Sequence, residues 1–267
     1  MVLKPRLRGY ASTSAPAKRV GWDTVNHLIQ QKPAYAKLPD RSVLSVAGPG
    51  VGQFLDGLIS GKMPEDSARA HFYSVFLNAK GRILYDVFLH SNAAAESEPG
   101  YLIEYDARPS EAPPLLQMLK RHLLRSKIKV RDLSENYDVW TMWSPHLTNP
   151  GENLWEYHPT GVIEPAFALD NTHRWGTQPM PFVDSRAVGM GTRALVPKSS
   201  PNTLVLADDV AEVTAEDYRL HRYLNGVPEG VDDLPPMHAF PINSSLDIMG
   251  AQRAVIWGRN ISRERDT

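Results

Sequence analysis

One acidic side chain interrupts an otherwise apolar run in the segment FLNAKGRILYDVFL, where Asp86 stands between Tyr85 and Val87. A carboxylate in such a strand either faces water or points into a polar pocket, where it could bind a ligand or transfer a proton. Alternation places Leu84, Asp86 and Phe88 on one face. The alternation favours a solvated position for Asp86, and a buried polar pocket is the alternative.

A second group of carboxylates lies in the segment HRYLNGVPEGVDDLPP. Here a helical pattern ends at Gly226, and a loop punctuated by proline and glycine carries Glu229, Asp232 and Asp233. A long, rigid and acidic loop is typical of a functional loop. The alternative, a well-capped loop that only positions its neighbours, stays open.

Generic catalytic patterns are missing from the sequence. It contains no H-E-x-x-H or G-x-S-x-G motif, and its nine histidines are scattered. It also contains no cysteine, which excludes disulfides, thiolate metal sites and thiol chemistry by this chain alone. The 29 basic residues nearly balance the 30 acidic ones, so we expect no overall field that recruits nucleic acid or an anionic membrane. No apolar run reaches the roughly 18 residues of a membrane span, which predicts a soluble protein.

Glycines at positions 48, 50 and 52 resemble a nucleotide-binding loop at first sight. However, Gln53 stands where G-x-G-x-x-G requires its last glycine, and Gly61-Lys62 is followed by Met63 in place of Ser or Thr. The segment is better interpreted as a turn from a strand into a short helix with Gly61 at its carboxyl end.

The elements that would position the acidic side chains alternate between strand and helix. Asn78–Arg82 predicts a hairpin turn with Gly81 at a positive φ. Ser110 is expected to cap a helix reaching about Arg125, and Thr214 with Asp217 to cap another over Val213–Gly226. Residues 144–179 are predicted to form an irregular insertion. Predicted strands cover Arg41–Ala47, His71–Leu77, Ile83–Leu89, Tyr101–Tyr105, Lys127–Val130, Tyr137–Trp143, Pro181–Arg186, Thr192–Val196 and Thr203–Leu206. The mixture with hairpins indicates an α+β protein.

The first residues differ in composition from the rest of the chain. Residues 1–25 are rich in Lys, Arg, Ser and Thr, and the first acid is Asp23. This composition is typical of a mitochondrial transit peptide, although a disordered basic tail has the same character. We expect these residues to lie outside the folded domain.

Three segments carry a family resemblance: FLNAKGRILYDVFL, DSRAVGMGTRALVP and YRLHRYLNGVPEGVDDLPPMHAFPINSSLDIMG. Together they resemble the mitochondrial iron–sulfur cluster assembly factors of the folate-binding, aminomethyltransferase-related superfamily. The resemblance runs from about Tyr35 to Gly250. It implies an aminomethyltransferase-like folate-binding fold at residues 26–250, with ferredoxin-like and Greek-key modules around a central hole that accepts a tetrahydrofolate-type ligand.

The resemblance also implies a function and candidate ligand contacts. It implies an accessory role in late [4Fe–4S] cluster maturation in the mitochondrial matrix, with an A-type scaffold protein as partner. Aconitase, lipoate synthase and radical enzymes are the implied clients, and no metal is expected on this chain alone. Asp86 and Arg222 correspond to positions near the folate in the superfamily, and Tyr85 and Glu229 are weaker neighbours. No classical catalysis, nucleic acid or membrane partner is expected.

The sequence departs from the family pattern after the second acidic loop. Family members continue into a Lys-Gly-Cys-Tyr-x-Gly-Gln-Glu segment and a C-terminal barrel module, whereas this chain reads Pro241–Ser245 and then an atypical tail at residues 251–267. We therefore expect the third, barrel module to be absent. Its loss would expose apolar faces and make the protein marginally stable.

Two further interpretations stay open. An aminomethyltransferase of the glycine cleavage type is disfavoured because Leu224 stands where those enzymes commonly keep an acid. The third possibility is an inactive, truncated product that retains partial partner binding.

Overall fold

The computed structural model describes residues 33–61, 63, 71–91, 99–144, 155–157, 163–165, 181–187, 189–199 and 210–249, with the backbone alone described at 155–157 and 163–165. The expected transit peptide at residues 1–25, the predicted strand Thr203–Leu206 and the tail at 251–267 lie outside the described residues. Most of the insertion at 144–179 lies outside them as well.

Twelve strands are described in these ranges. They are β1 (Ala34–Lys37), β2 (Arg41–Ala47), β3 (His71–Leu77), β4 (Ile83–Ser91), β5 (Gly100–Asp106), β6 (Lys129–Asp132), β7 (Tyr137–Trp143), β8 (Trp155–Tyr157), β9 (Ile163–Pro165), β10 (Phe182–Val183), β11 (Thr192–Pro197) and β12 (Ala211–Val213). The insertion is therefore not wholly irregular, because β8 and β9 pair within it. The predicted hairpin is confirmed, with Gly81 at φ 75° in its turn.

Two five-stranded sheets form the frame of the molecule. The first has the order β10-β11-β7-β1-β12, and the second the order β3-β4-β5-β2-β6. The pairings within them are antiparallel except for the parallel contact of β1 with β12. The α+β expectation is confirmed by this mixed arrangement.

Four α-helices are described: α1 (Val51–Asp56), α2 (Leu115–His122), α3 (Ala215–Leu224) and α4 (Gly230–Asp233), and a 3₁₀ helix follows at Pro241–Ser244. The Thr214–Asp217 capping box at the start of α3 is confirmed, since each side chain bonds the other residue's backbone N–H.

Three helices differ from the prediction at their boundaries. Helix α3 spans Ala215–Leu224 in place of the predicted Val213–Gly226, because Val213 belongs to β12. Helix α1 ends at Asp56, so Gly57 and not Gly61 follows it. Helix α2 is shorter than the predicted 110–125 range, because Pro114 keeps an extended ψ of 130° immediately before it and Ser110 does not cap it.

Both faces of the second sheet are covered, which decides the position of Asp86. One apolar core packs α1 and α2 against Leu44, Leu89 and Ile103, while another joins the opposite face to the first sheet and α3. Strand β4 is buried from Ile83 to His90. The favoured interpretation of Asp86 as solvated was therefore wrong: the side chain is only 3% exposed. Alternation signals solvent only for a sheet with one open face.

Candidate functional site

A cluster of charged side chains lies buried between the two sheets. The second sheet contributes Arg41, Asp86 and Glu104, and the first contributes Arg193. The turn after β10 contributes Asp184 and Arg186, α3 contributes Tyr218, and the residue before α4 is Glu229. We call these eight residues the buried charge cluster; each is at most 7% exposed. Three guanidinium groups thus face four carboxylates in a region largely shielded from solvent.

Glu104 joins the two sheets through arginines. Arg41 donates from Nε to Glu104 Oε1 at 2.9 Å and from Nη1 to Asp86 Oδ2 at 2.9 Å. From the opposite sheet, Arg193 donates from Nη2 to the same Oε1 of Glu104, and from Nε to Oε2 at 3.4 Å. Since Glu104 is fully buried, these two arginines provide the compensation that a buried carboxylate requires.

Glu229 accepts hydrogen bonds from three other members of the cluster. Its Oε2 accepts from Arg186 Nη2 at 2.7 Å, from Tyr218 Oη at 2.9 Å and from Arg193 Nη1 at 3.0 Å. Asp184 binds Arg186 through both carboxylate oxygens, at 2.8 and 2.6 Å. The loop that carries Glu229 is therefore tied to the first sheet and to α3.

One aromatic ring lies beneath two of these arginines. The guanidinium carbons of Arg193 and Arg186 lie 4.4 and 4.7 Å from the centre of the Phe88 ring. Cation–π attraction of this kind is strongest where the cation is desolvated. The ring thus supports both guanidinium planes at the position where they reach Glu104 and Glu229.

The start of α4 approaches the second sheet so closely that only glycine fits. Gly230 has φ 73° and donates its backbone N–H to Asp86 Oδ1 at 3.2 Å, and the next N–H, from Val231, reaches Asp106 Oδ2 at 2.9 Å. A Cβ at position 230 would overlap the same Asp106 oxygen. The absence of a side chain at this position therefore lets the acidic loop contact Asp86.

Two carboxylates of the cluster, Glu104 and Glu229, stay ionised at neutral pH. Burial favours the protonated form of Glu104, but Arg193 and Arg41 outweigh it and hold the pKa of Glu104 well below its usual range. Burial acts likewise on Glu229, whose pKa is held well below its usual range by Arg193 and Arg186. Burial also raises the pKa of Tyr218 above its usual range. None of these three groups therefore titrates near neutrality.

A small polar cleft opens beside the cluster. Its volume is about 80 Å³, and its lining includes Arg41, Tyr218, Arg222, Glu229 and Gly230. Arg222 donates from Nη1 to Val227 O at 2.8 Å and to Asp233 Oδ2 at 2.7 Å. Its buried Nε has no hydrogen-bond partner among the described residues. Arg222 thus fixes the loop after α3 and keeps an unused donor near the cleft.

The structure brings three of the four predicted site residues together. Asp86 and Glu229 belong to the buried charge cluster, and Arg222 lines the cleft beside them. Tyr85 lies on the opposite face of β4, in the core under α2, and donates its hydroxyl to Pro113 O at 3.0 Å. The side chain of Tyr85 therefore lies away from the cleft.

Sequence reasoning missed six members of the cluster: Arg41, Glu104, Asp184, Arg186, Arg193 and Tyr218. One signal was available, because Glu104 interrupts the apolar strand YLIEY as Asp86 interrupts ILYDVFL. Two carboxylates at interior strand positions imply buried cations to match them. Which arginines supply that charge depends on how the two sheets face each other, and no local pattern carries that information.

Histidines and metal ligands add little to the site. His90 Nε2 lies 3.7 Å from Glu104 Oε2, and burial lowers the pKa of His90. Within the described part of the chain, no group of three or more His, Cys, Asp or Glu side chains could hold a metal ion. No helix in that part is long and apolar enough to cross a bilayer.

Comparisons with curated proteins agree with the predicted resemblance. The chain is 33% identical over 234 residues to a protein of Cryptococcus neoformans var. neoformans named iron–sulfur cluster assembly factor IBA57 homolog, mitochondrial; the match covers 82% of this chain and 58% of that protein. It is 32% identical over 218 residues to the protein of the same name from Pyricularia oryzae, covering 81% of this chain and 49% of that one. The chain thus spans about half the length of these relatives. No family model matches it.

A solved structure supports the fold. The glycine cleavage system aminomethyltransferase T from Bartonella henselae superposes with a TM-score of 0.56 at 15% identity, over 84% of this chain and 62% of that one. This likeness shows that the fold is aminomethyltransferase-like, as the sequence predicted. The two comparisons confirm the resemblance of this chain to the mitochondrial iron–sulfur assembly factors of the aminomethyltransferase-related superfamily.

Proposed function

We propose that this chain is an accessory factor in late [4Fe–4S] cluster maturation, acting in the mitochondrial matrix. The observation that carries the proposal is the 30–33% identity over about four fifths of the chain to several fungal proteins named as mitochondrial iron–sulfur cluster assembly factors. Because the chain spans only part of those relatives, the activity of the whole protein is part of the proposal.

The buried charge cluster supports an accessory role over catalysis. A general acid or base works best with a pKa near the ambient pH. Here the pKa values of Glu104 and Glu229 are held low and that of Tyr218 is raised, while burial lowers the pKa of nearby His221 to about 4. The cluster is suited to fixing a binding surface, in which the acidic loop is tied to both sheets.

The proposal of an iron–sulfur partner draws on the residue types of this chain. It has no cysteine, and its described residues include no group of metal ligands. We propose that the iron–sulfur cluster remains on a partner of the A-type scaffold kind, and that this chain contacts that partner. Aconitase, lipoate synthase and radical enzymes are the proposed clients.

Tetrahydrofolate binding by Asp86, Arg222, Tyr85 and Glu229 stays a proposal, and the described residues fit only one end of such a ligand. The carboxylates of Asp86 and Glu229 already accept from arginines. The cleft of about 80 Å³ is smaller than the roughly 300 Å³ of an ordinary small-molecule pocket. Arg222, with its unused Nε, is the side chain best suited to an anionic end group.

Complementation tests the proposal. A fungal strain that lacks its own assembly factor should regain aconitase activity and protein lipoylation when it expresses this chain, and should not regain them with an empty vector. Failure of the expressed, folded chain to restore either would contradict the proposal and favour the inactive-product interpretation. Tetrahydrofolate-dependent release of formaldehyde equivalents from an aminomethyl-lipoyl carrier would instead indicate the aminomethyltransferase.

A further inference from the structure

The end of helix α2 and the loop after it carry the highest local density of positive charge that we find in the described residues. Residues 112–131 contain no acid, although the whole chain has a net charge of −1. Within them lies the segment KRHLLRSK, residues 120–127, which we call the basic tip. Its four cations, Lys120, Arg121, Arg125 and Lys127, are all exposed. None forms an ion pair with another described residue, so their charges are available to a partner.

An apolar side chain stands at the centre of the basic tip. Leu124 is 91% exposed and has φ 45°. A left-handed conformation just after a helix is normally occupied by glycine, because an L side chain is strained there. Leu124 therefore carries both backbone strain and exposed apolar surface, while its side chain packs against almost nothing in this chain. A binding surface is a physical reason for such a residue.

The fold holds the basic tip rigidly away from the core. On the helix side, Leu115 and Leu119 of α2 are buried in the core, and on the strand side Ile128 is buried just before β6. The returning chain passes so close to Gly48 that a Cβ there would lie 2.9 Å from Lys127 O. The backbone N–H of Ser126 closes the turn onto Leu123 O at 2.8 Å. Leu124 and the cations are thus presented at a fixed corner of the molecule.

We propose that the basic tip docks on an anionic lipid bilayer, with Leu124 entering the interface and the four cations lying among the headgroups. The near-neutral total charge predicts no membrane recruitment, but attraction to a surface is set by charges within about a Debye length of it. A protruding leucine needs no preformed pocket in a bilayer, whereas a protein partner would have to supply one. The tip also contains no Trp, Tyr or Phe, the aromatic residues that are enriched in protein interfaces.

The expected preference is large enough to measure. Each Lys or Arg near an anionic surface contributes about 1 kcal/mol, which corresponds to about fivefold in affinity. Four such residues predict binding to anionic vesicles several hundredfold tighter than to neutral ones. The attraction should weaken steadily as salt is added.

Vesicle co-sedimentation of the full chain tests the proposal. The probes are phosphatidylcholine vesicles with and without one third phosphatidylserine, at low and at physiological ionic strength. The double variant Arg121→Glu/Arg125→Glu should lose at least about 25-fold in affinity for the anionic vesicles. The matched control is Lys37→Glu/Lys80→Glu, which makes the same change of net charge at exposed sites elsewhere and should lose no more than about fivefold.

Leu124→Gly separates binding from folding. Glycine relieves the strained φ, so its unfolding midpoint should equal or exceed that of the parent, while its affinity for anionic vesicles falls several-fold. Equal binding to neutral and anionic vesicles, equal losses in the two double variants, or binding to RNA or an acidic peptide without vesicle binding would each overturn the proposal. None of these results depends on the role proposed above in cluster maturation.

Discussion

Replacing Gly230 by alanine should be among the most damaging small changes available to this protein. Position 230 has φ 73°, and an added Cβ would overlap Asp106 Oδ2. Because that oxygen accepts from both Val231 N and Arg108 Nη2, the Asp106 carboxylate is held in place, and we expect the backbone at the start of α4 to shift to make room. The shift would lengthen the bond from Gly230 N to Asp86 Oδ1 as well.

The cost follows from these two consequences. An L residue in the left-handed region costs about 1–2 kcal/mol. Each weakened hydrogen bond to a buried carboxylate costs up to about 1.5–3 kcal/mol, and the two bonds need not be lost completely. We therefore expect Gly230→Ala to lower the free energy of unfolding by about 3–5 kcal/mol, a large part of the stability of an ordinary domain.

Gly226→Ala is the matched control, because position 226 has φ 68° but no atom within 4 Å of its would-be Cβ. Gly226→Ala should lower the free energy of unfolding by about 1–2 kcal/mol, which is the cost of placing an L residue in the left-handed conformation without a steric clash. Denaturant unfolding followed by tryptophan fluorescence measures both variants. Equal losses of stability in the two would refute the close approach of α4 to the second sheet.

Two further changes test buried ionisable side chains. Glu104→Gln should lower the free energy of unfolding by about 3–5 kcal/mol, because it leaves Arg41 and Arg193 buried without their shared carboxylate. The control Glu216→Gln, at an exposed ion pair, should change it by no more than about 0.5 kcal/mol. Similar losses in the two variants, measured by denaturant unfolding, would contradict the argument. His221 is stacked on Trp143, and burial lowers its pKa from 6.5 to about 4. The lowered pKa means that the folded state favours neutral His221 more strongly than the unfolded state does. The free energy of unfolding should therefore be highest above pH 6.5, fall by about 1–2 kcal/mol by pH 5, and continue to fall toward pH 4. His221→Gln should remove that loss between pH 7 and 5, and an unchanged slope would count against it.

The sequence predicted those elements whose signals are local. The Thr214–Asp217 capping box and the turn at Gly81 depend on neighbouring residues, and both are confirmed. The end of α2 was misplaced because Leu124 leaves the helix at a positive φ although leucine favours helix. The residue type there gave no warning of the strain.

The placement of Asp86 shows why the site was harder to predict than the fold. Alternation along β4 cannot distinguish a sheet with one open face from a sheet covered on both sides. Because the first sheet covers the second, Asp86 is buried beside Arg41 and is not solvated as the alternation suggested. Burial of charge is a property of the sheet pair and not of the strand.

A single carboxylate makes the two halves of the site interdependent. Arg41 of one sheet and Arg193 of the other both bind Glu104, and Arg193 also binds Glu229 in the acidic loop. Because burying these charges is costly unless every partner is present, the cluster contributes little net stability but penalises any arrangement in which one element has moved. We infer that its role is to fix the acidic loop against both sheets. A partner that recognises that loop would then meet one preformed surface, and loss of any one of these four charges should disturb the loop before it disturbs the sheets.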